Sequence, residues 1–299
     1  MILPTGKLPG HVQRYIVLSR RLFSFFNQLL RRNPPVDSVD FESNMALRGK
    51  RPGLLLVGHG TRDARGVSEF LSLADQVAGR LPNVLVRPGF LELAVPSIRD
   101  AVEDIGSGDV DVMVVVPALL FAAGHAKRDI PRAVDDALGQ LQLPCVQAQH
   151  FGTHEQLIAL SHRRFLDATS HLPSIPDDLT MLLLIGRGSR DEDAKAEMLE
   201  VSRLRQQLSG VRHVTTSFFA MSDPGLEVTI ADLQQRPFRR IVVQPHLLFY
   251  GQIMAQIADM VTAANLQSSD QEWVGCEHLG PSSGLAQVVV NRFMQALTL

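Results

Sequence analysis

Three residues stand out for the chemistry their types allow: His59, Glu92 and His125. Two imidazoles and a carboxylate supply ligands for a borderline divalent metal and a base of tunable pKa. Each follows an apolar run that reads as a buried strand. His59 comes after Leu54–Val57, Glu92 after Val84–Phe90, and His125 some residues beyond Val112–Val116. Ends of parallel strands gather along one sheet edge, so residues distant in sequence converge there. Gly58, Gly60 and Gly124 flank the histidines and admit a large flat ligand close to the backbone. Taken singly, a loop histidine is more often a surface residue, and Glu92 alone reads as a solvated carboxylate; the joint placement carries the argument. Gly58-His59-Gly60 also suits a phosphate-handling hydrolase, but that reading leaves Glu92 and His125 without a role.

The elements that must position these residues occur twice. Leu54-Leu55-Leu56-Val57-Gly58-His59-Gly60-Thr61-Arg62-Asp63 aligns with Leu182-Leu183-Leu184-Ile185-Gly186-Arg187-Gly188-Ser189-Arg190-Asp191, an offset of 128 residues. The same offset relates Phe90 and Pro96 to Phe218 and Pro224, and Leu119-Leu120-Phe121 to Leu247-Leu248-Phe249. It also relates His150, Gly152 and Arg164 to His278, Gly280 and Arg292. The chain is therefore a tandem duplication, roughly 51–170 and 178–299, behind an extension of about 50 residues. In the first copy the patterning predicts strands at 53–57, 84–90, 112–116 and 145–149. Helices are expected over about 64–80, from Ser97 to Gly106–Gly108, from an Asp129 N-cap to near Gly139, and over about 156–168. Strands alternating with helices imply an α/β fold, here two small four-stranded parallel sheets with helices on both faces. The duplication also serves as an internal control. His59 becomes Arg187, Glu92 becomes Ala220, and His125 becomes Ile253 or Gln252, while the scaffold motifs persist. A structural role would have survived in both copies, so the chemistry is assigned to the first half. His150 and His278 persist and read as structural; His154, His162, His171, His213 and His246 have no matching context.

Arg62, Arg65, Lys127, Arg128 and Arg132 cluster near the two histidine loops, and Arg187 and Arg190 can face them from the second copy. Arginine suits bidentate carboxylate recognition, which points to an acidic ligand. The chain as a whole carries a formal net charge of −2, which argues against a nucleic-acid partner. Two cysteines are too few for a disulfide framework and indicate a reducing compartment. In the extension, Tyr15, Leu18, Leu22, Phe25, Phe26 and Leu29 fall at helical spacing, interrupted by Arg20-Arg21. That interruption is inconsistent with a transmembrane span, and no uninterrupted apolar core leads to a secretory cleavage site. A helix packed on the body, a surface-seeking basic helix and a translated leader all fit the stretch.

Three segments together resemble the sirohydrochlorin chelatase family of the CbiX type, class II tetrapyrrole chelatases. They are Gly58–Asp63 with its preceding strand, Phe90-Leu91-Glu92-Leu93-Ala94-Val95-Pro96-Ser97-Ile98, and Pro117–Pro131 containing Phe121-Ala122-Ala123-Gly124-His125-Ala126-Lys127-Arg128. With the second copy, the resemblance covers about 51–299. It implies insertion of a divalent ion (Co²⁺ or Fe²⁺, with Ni²⁺ and Zn²⁺ also accepted by such ligands) into sirohydrochlorin, on the route to siroheme or cobalamin, with two protons released. The metal is substrate, and no organic cofactor is implied. His59 and His125 are implied as metal-binding and catalytic, Glu92 as proton acceptor, and Arg62, Arg65, Lys127, Arg128, Arg187 and Arg190 as the rim facing the eight substrate carboxylates. The resemblance also implies that the two halves form a pseudo-dimer around a cleft, and a cytoplasmic monomer with one site per chain is the expectation. A non-catalytic metal or tetrapyrrole carrier using the same cleft is the alternative.

Overall fold

The computed structural model describes residues 49–121, 124, 128–139 and 141–298; the N-terminal helical stretch, His125 and Lys127 lie outside them. The first copy runs β1 (Pro52–Gly58), α1 (Ala64–Ala78), β2 (Leu85–Phe90), α2 (Ile98–Ser107), β3 (Val112–Pro117), α3 (Ile130–Leu138), β4 (Cys145–Gln147) and α4 (Glu155–Thr169). The second runs β5 (Thr180–Gly186), α5 (Glu192–Ser209), β6 (His213–Phe218), α6 (Leu226–Gln234), β7 (Arg240–Pro245), α7 (Gln252–Gln267), β8 (Glu272–Gly275) and α8 (Ser283–Leu297). Both sheets are parallel, in the orders β2-β1-β3-β4 and β6-β5-β7-β8. The two-sheet α/β architecture expected from the repeat is the one observed. β1 and β5 are central and buried along their whole length, which is why they are continuous apolar runs rather than alternating ones.

Local signals set the boundaries. Ser97 caps α2 in a reciprocal box with Asp100: each side chain accepts from the other's backbone N–H. Asp63 caps α1 by accepting from the N–H groups of Arg65 and Gly66, so the turn carrying His59 ends at a fixed point. Asp129 stands at the N-cap of α3 as expected, yet makes no side-chain cap bond to that helix; Pro131 in the first turn sets its start instead.

The last helix of each copy packs on the other copy's sheet. α8 lies on α1, β3 and β4, while α4 lies on α5, β7 and β8. Leu285, Val288, Val289 and Phe293 of α8 are fully buried in one core with Leu54, Leu56, Phe70 and Val116 of the first sheet. At about 1.5–3 kcal/mol per buried aliphatic or aromatic side chain, this face alone accounts for a large share of the first half's stability. A pair of equivalent polar contacts locks the exchange. His278 Nε2 pairs with Glu69 Oε2 at 2.8 Å, and His150 Nε2 with Glu197 Oε1 at 2.8 Å. Arg164 donates to the Leu279 carbonyl and Arg292 to the Phe151 carbonyl, each at 2.9 Å. These residues are related by the repeat offset, which explains why His150 and His278 persist in both copies.

Beneath the exchanged helices the two cores differ. Arg205, fully buried on α5, donates to Ser161 Oγ at 2.9 Å and Gln244 Oε1 at 3.3 Å, and lies 3.1 Å from His162 Nδ1. His246 and Cys276 are buried in the same half. The repeat-equivalent positions in the first core are Val77 for Arg205, Val289 and Val290 for Ser161 and His162, Val116 for Gln244, Ala118 for His246 and Ala148 for Cys276. Burial pulls the Arg205 guanidinium down to about 9, so it stays charged at neutral pH with neutral partners around it. The same burial pushes the Cys276 thiol up to about 12.

The polar network matches α4 to the second sheet and α8 to the first. Residues 49–170 expressed alone lack α8; an α4 lent by a second copy would bury Ser161 and His162 against Val77 and Val116, at about 1–3 kcal/mol for each unsatisfied group. The fragment is therefore expected to give no stable dimer in light scattering. Ser161→Val with His162→Val should produce one, and an equally stable dimer without those changes would refute the matching role. A second prediction concerns pH. Burial, as the largest cause, holds His162 and His246 down to about 3 and His154 to about 4, against about 6.5 in an unfolded chain. Below pH 6.5 the unfolded chain takes up protons that the fold refuses. Stability is thus complete above pH 6.5 and falls as pH drops toward 4, by up to about 1.4 kcal/mol per pH unit per histidine. Urea midpoints between pH 7 and 4.5 check this, and His246→Phe should flatten the slope.

Candidate active site

β1 delivers His59 to the carboxyl edge of the first sheet. Gly60 follows with φ +96, and a side chain there would collide with the Glu92 carbonyl oxygen, so glycine is what lets the two loops touch. Backbone bonds from Leu91 N–H to Gly58 O (2.8 Å) and from Glu92 N–H to His59 O (3.0 Å) fix the second loop on the first. His59 Nδ1 consequently stands 3.5 Å from Glu92 Oε1. The imidazole is mostly buried and lines the cleft, whereas the carboxylate beside it is half exposed. An imidazole and a carboxylate so placed can share one proton or offer two ligands to one cation. The second copy repeats the scaffold and drops the chemistry. Gly188 has φ +88 and Ala220 N–H donates to Arg187 O at 3.0 Å, but the side chains are a guanidinium and a methyl.

The cleft between the halves measures about 1210 Å³ and is walled by both, with His59, Arg62, Phe121 and Arg128 on one side and Arg187, Phe249 and Tyr250 on the other. That exceeds the roughly 300–1,000 Å³ usual for small-molecule sites and suits a large ligand. A neighbouring pocket of about 430 Å³ is lined by Gly124, Arg128, Ser189, Arg190 and Asp191, so arginines from both copies meet there. The structure thus brings Arg62, Arg128, Arg187 and Arg190 of the sequence-expected rim to one region. Arg65 is not among the residues lining it. Its guanidinium lies 4.0 Å from the Tyr250 ring centroid and pairs with Glu69 at 3.2 Å, so it serves the seam between halves. Arg132 is exposed beside Asp136. His125 and Lys127 lie outside the described residues, and among the described residues no three His, Cys, Asp or Glu side chains gather to hold a metal.

Sequence reasoning missed several lining residues. Lys195 replaces Val67 of the first copy, and that change of type at a repeat position is the signal that marks it. Phe121 and Phe249 were legible only as repeated scaffold residues, although both face the cleft. Glu69 and Glu197 occupy one repeat position, but nothing in their local sequence signals that each pairs with a histidine of the other half.

Fold and site together define a duplicated α/β protein with a shared cleft and one chemically equipped half. The CbiX family model matches residues 53–168 and again 181–296, so the chain belongs to the CbiX family. It is similar to the sirohydrochlorin cobaltochelatase of Priestia megaterium, at 26% identity over 82% of this chain and 79% of that protein. It is equally similar to the sirohydrochlorin ferrochelatase of the same organism, at 26% identity over 82% of this chain and 90% of that one. The solved structure of SirB from Bacillus subtilis with Fe³⁺ superposes with a TM-score of 0.74 at 23% identity, covering 82% of this chain and 95% of that one.

The loop contact makes a specific prediction. Gly60→Ala combines a positive φ with a carbonyl collision and should cost about 1–3 kcal/mol of stability in chemical denaturation. Gly188→Ala should cost a similar amount, since the second copy carries the same constraint. A variant at either position as stable as the parent would show that the loops can separate without penalty.

Proposed function

We propose that this chain is a sirohydrochlorin chelatase that inserts a divalent metal, Co²⁺ or Fe²⁺, into sirohydrochlorin. Membership of the family supports the activity; the observation that carries the site assignment is His59 on the wall of a cleft large enough for a macrocycle, with the Glu92 carboxylate 3.5 Å from its Nδ1. In the reaction a metal ion displaces two pyrrole protons, so metal and protons exchange places at the ring centre. His59 and His125 would hold the incoming ion as it sheds water, and Glu92 would accept a proton. Arg62, Arg128, Arg187 and Arg190 would pair with substrate carboxylates, the last three spanning the two halves; Lys127 belongs to the same set by sequence.

The two equally similar relatives differ in their metal, so sequence distance does not choose between cobalt and iron. The duplication gives one chemically equipped site per chain, and both walls of the cleft come from one polypeptide, which supports a monomer acting as an internal pseudo-dimer. Free Cys145 and Cys276 support a reducing, cytoplasmic setting. Among the described residues, no helix is long and apolar enough to cross a membrane.

Anaerobic incubation of the pure protein with sirohydrochlorin and Co²⁺, Fe²⁺ or Ni²⁺, followed by absorbance, tests the activity and ranks the metals. A protein that binds the macrocycle without any metal-dependent spectral change would be a carrier. In the same assay His59→Ala and His125→Ala should each lower the rate by about 10²-fold or more while leaving the denaturation midpoint nearly unchanged. Retained activity would remove the residue from the catalytic set. Arg187→Ala should raise KM more than it lowers kcat, and an unchanged KM would remove the second half from the substrate wall.

A further inference from the structure

Leu93 and Met221 hold an unusual backbone conformation. Their φ values are 65 and 61, the positive range that favours glycine, and among the described residues no other non-glycine side chain adopts it. They are related by the repeat offset, and both line the cleft, one from each half. Their side chains are 51% and 53% exposed, so neither is a core residue.

Backbone hydrogen bonds of neighbouring residues hold the loop that carries each of them. In the first copy Glu92 N–H donates to His59 O, Ala94 N–H to Glu92 O at 2.8 Å, and Phe90 N–H to Pro96 O at 2.8 Å. In the second, Ala220 N–H donates to Arg187 O and Phe218 N–H to Pro224 O, both at 3.0 Å. Glycine would satisfy this loop with less strain, yet both copies keep a long apolar side chain at its tip. The preceding residue behaves differently: Glu92 in one copy is Ala220 in the other. The tip therefore serves something common to both walls, while the chemistry serves one.

We infer that Leu93 and Met221 grip the apolar ring surface of the bound macrocycle from the two halves and hold it in place beside His59. The inference rests on the tetrapyrrole reading above and extends it. Arginines at the rim can fix the carboxylate periphery, but they supply no contact to the apolar ring itself. Two aliphatic side chains on rigid, strained loops supply that contact without losing rotamer-rich loop entropy on binding.

The test uses the full-length protein and titrates metal-free sirohydrochlorin anaerobically, read by fluorescence quenching. Leu93→Gly with Met221→Gly should weaken binding about tenfold or more, as expected for removing two aliphatic contacts. The thermal midpoint should be unchanged or higher because the backbone strain is relieved. Leu93→Asn with Met221→Asn, which keeps a side chain tolerant of positive φ, should lose binding to the same degree. It decides the matter if the glycine variants prove unstable. Leu93→Met and Met221→Leu should bind within about twofold of the parent. Raising salt should leave the glycine defect unchanged while shrinking that of Arg128→Ala. Glycine and asparagine variants that bind as tightly as the parent would overturn the inference. A parent protein that binds no tetrapyrrole would overturn the chelatase reading, and this inference with it.

Discussion

The exchange of α4 and α8 between the two sheets is the constraint on which the cleft depends. Each sheet is covered chiefly by the last helix of the other copy, so each half draws a large part of its core from its neighbour. The apolar face of α8 supplies the non-directional part of the attachment, and the Glu69–His278 and Glu197–His150 pairs supply its geometry. Glu69 also accepts from Tyr250 N–H at 2.7 Å and pairs with Arg65. One carboxylate on α1 thereby sets the distance between the first sheet and the loop after β7. Since His59 stands at the end of the strand before α1, the seam and the site share one rigid frame.

The duplicated halves have diverged in opposite senses. The first keeps an aliphatic core and bears polar chemistry at its rim, at His59 and Glu92. The second has lost both of those groups at its rim and carries a buried polar network instead, centred on Arg205. What both retain is the backbone: equivalent strands, helices and positive-φ glycines at the loop contact. Some retained features are backbone constraints, as at Gly60 and Gly188, where a side chain would collide with a carbonyl oxygen; others are side chains that join the halves, namely Glu69 and Glu197, His150 and His278, and Arg164 and Arg292. The diverged features are side chains at the rim and in the core. In the second core the Arg205 guanidinium is held by hydroxyl, amide and imidazole groups, while both nitrogens of His246 and the Nε2 of His162 are buried without a hydrogen-bond partner.

The charge distribution follows the same division. A formal net charge of −2 conceals a cleft to which Arg62, Arg128, Arg187 and Lys195 contribute. Carboxylates stand there as well: Asp63 and Asp129 line the cleft and Glu92 lies beside His59, while Glu69 is turned to the seam against His278. Guanidinium and ammonium groups in the cleft favour an anionic ligand without making the whole molecule basic.

Sequence patterning alone determined the duplication, the strand ends and the candidate residues His59, Glu92 and His125, because those features are local. Apolar runs mark buried parallel strands, Ser97 marks a helix start, and a constant offset makes one copy a control for the other. The CbiX resemblance was legible for the same reason, since its motifs are contiguous. Only the tertiary structure decided which copy each last helix covers, that Arg65 belongs to the seam, and that His246 and His162 are buried with Arg205. Only it placed His59 and Glu92 3.5 Å apart and turned Leu93 and Met221 toward a common cleft. Those outcomes depend on contacts between residues well separated in sequence, 43 positions for Arg205 with His162 and 209 for Glu69 with His278. A residue's type records what it can do, but its partner is set by packing that no local window contains.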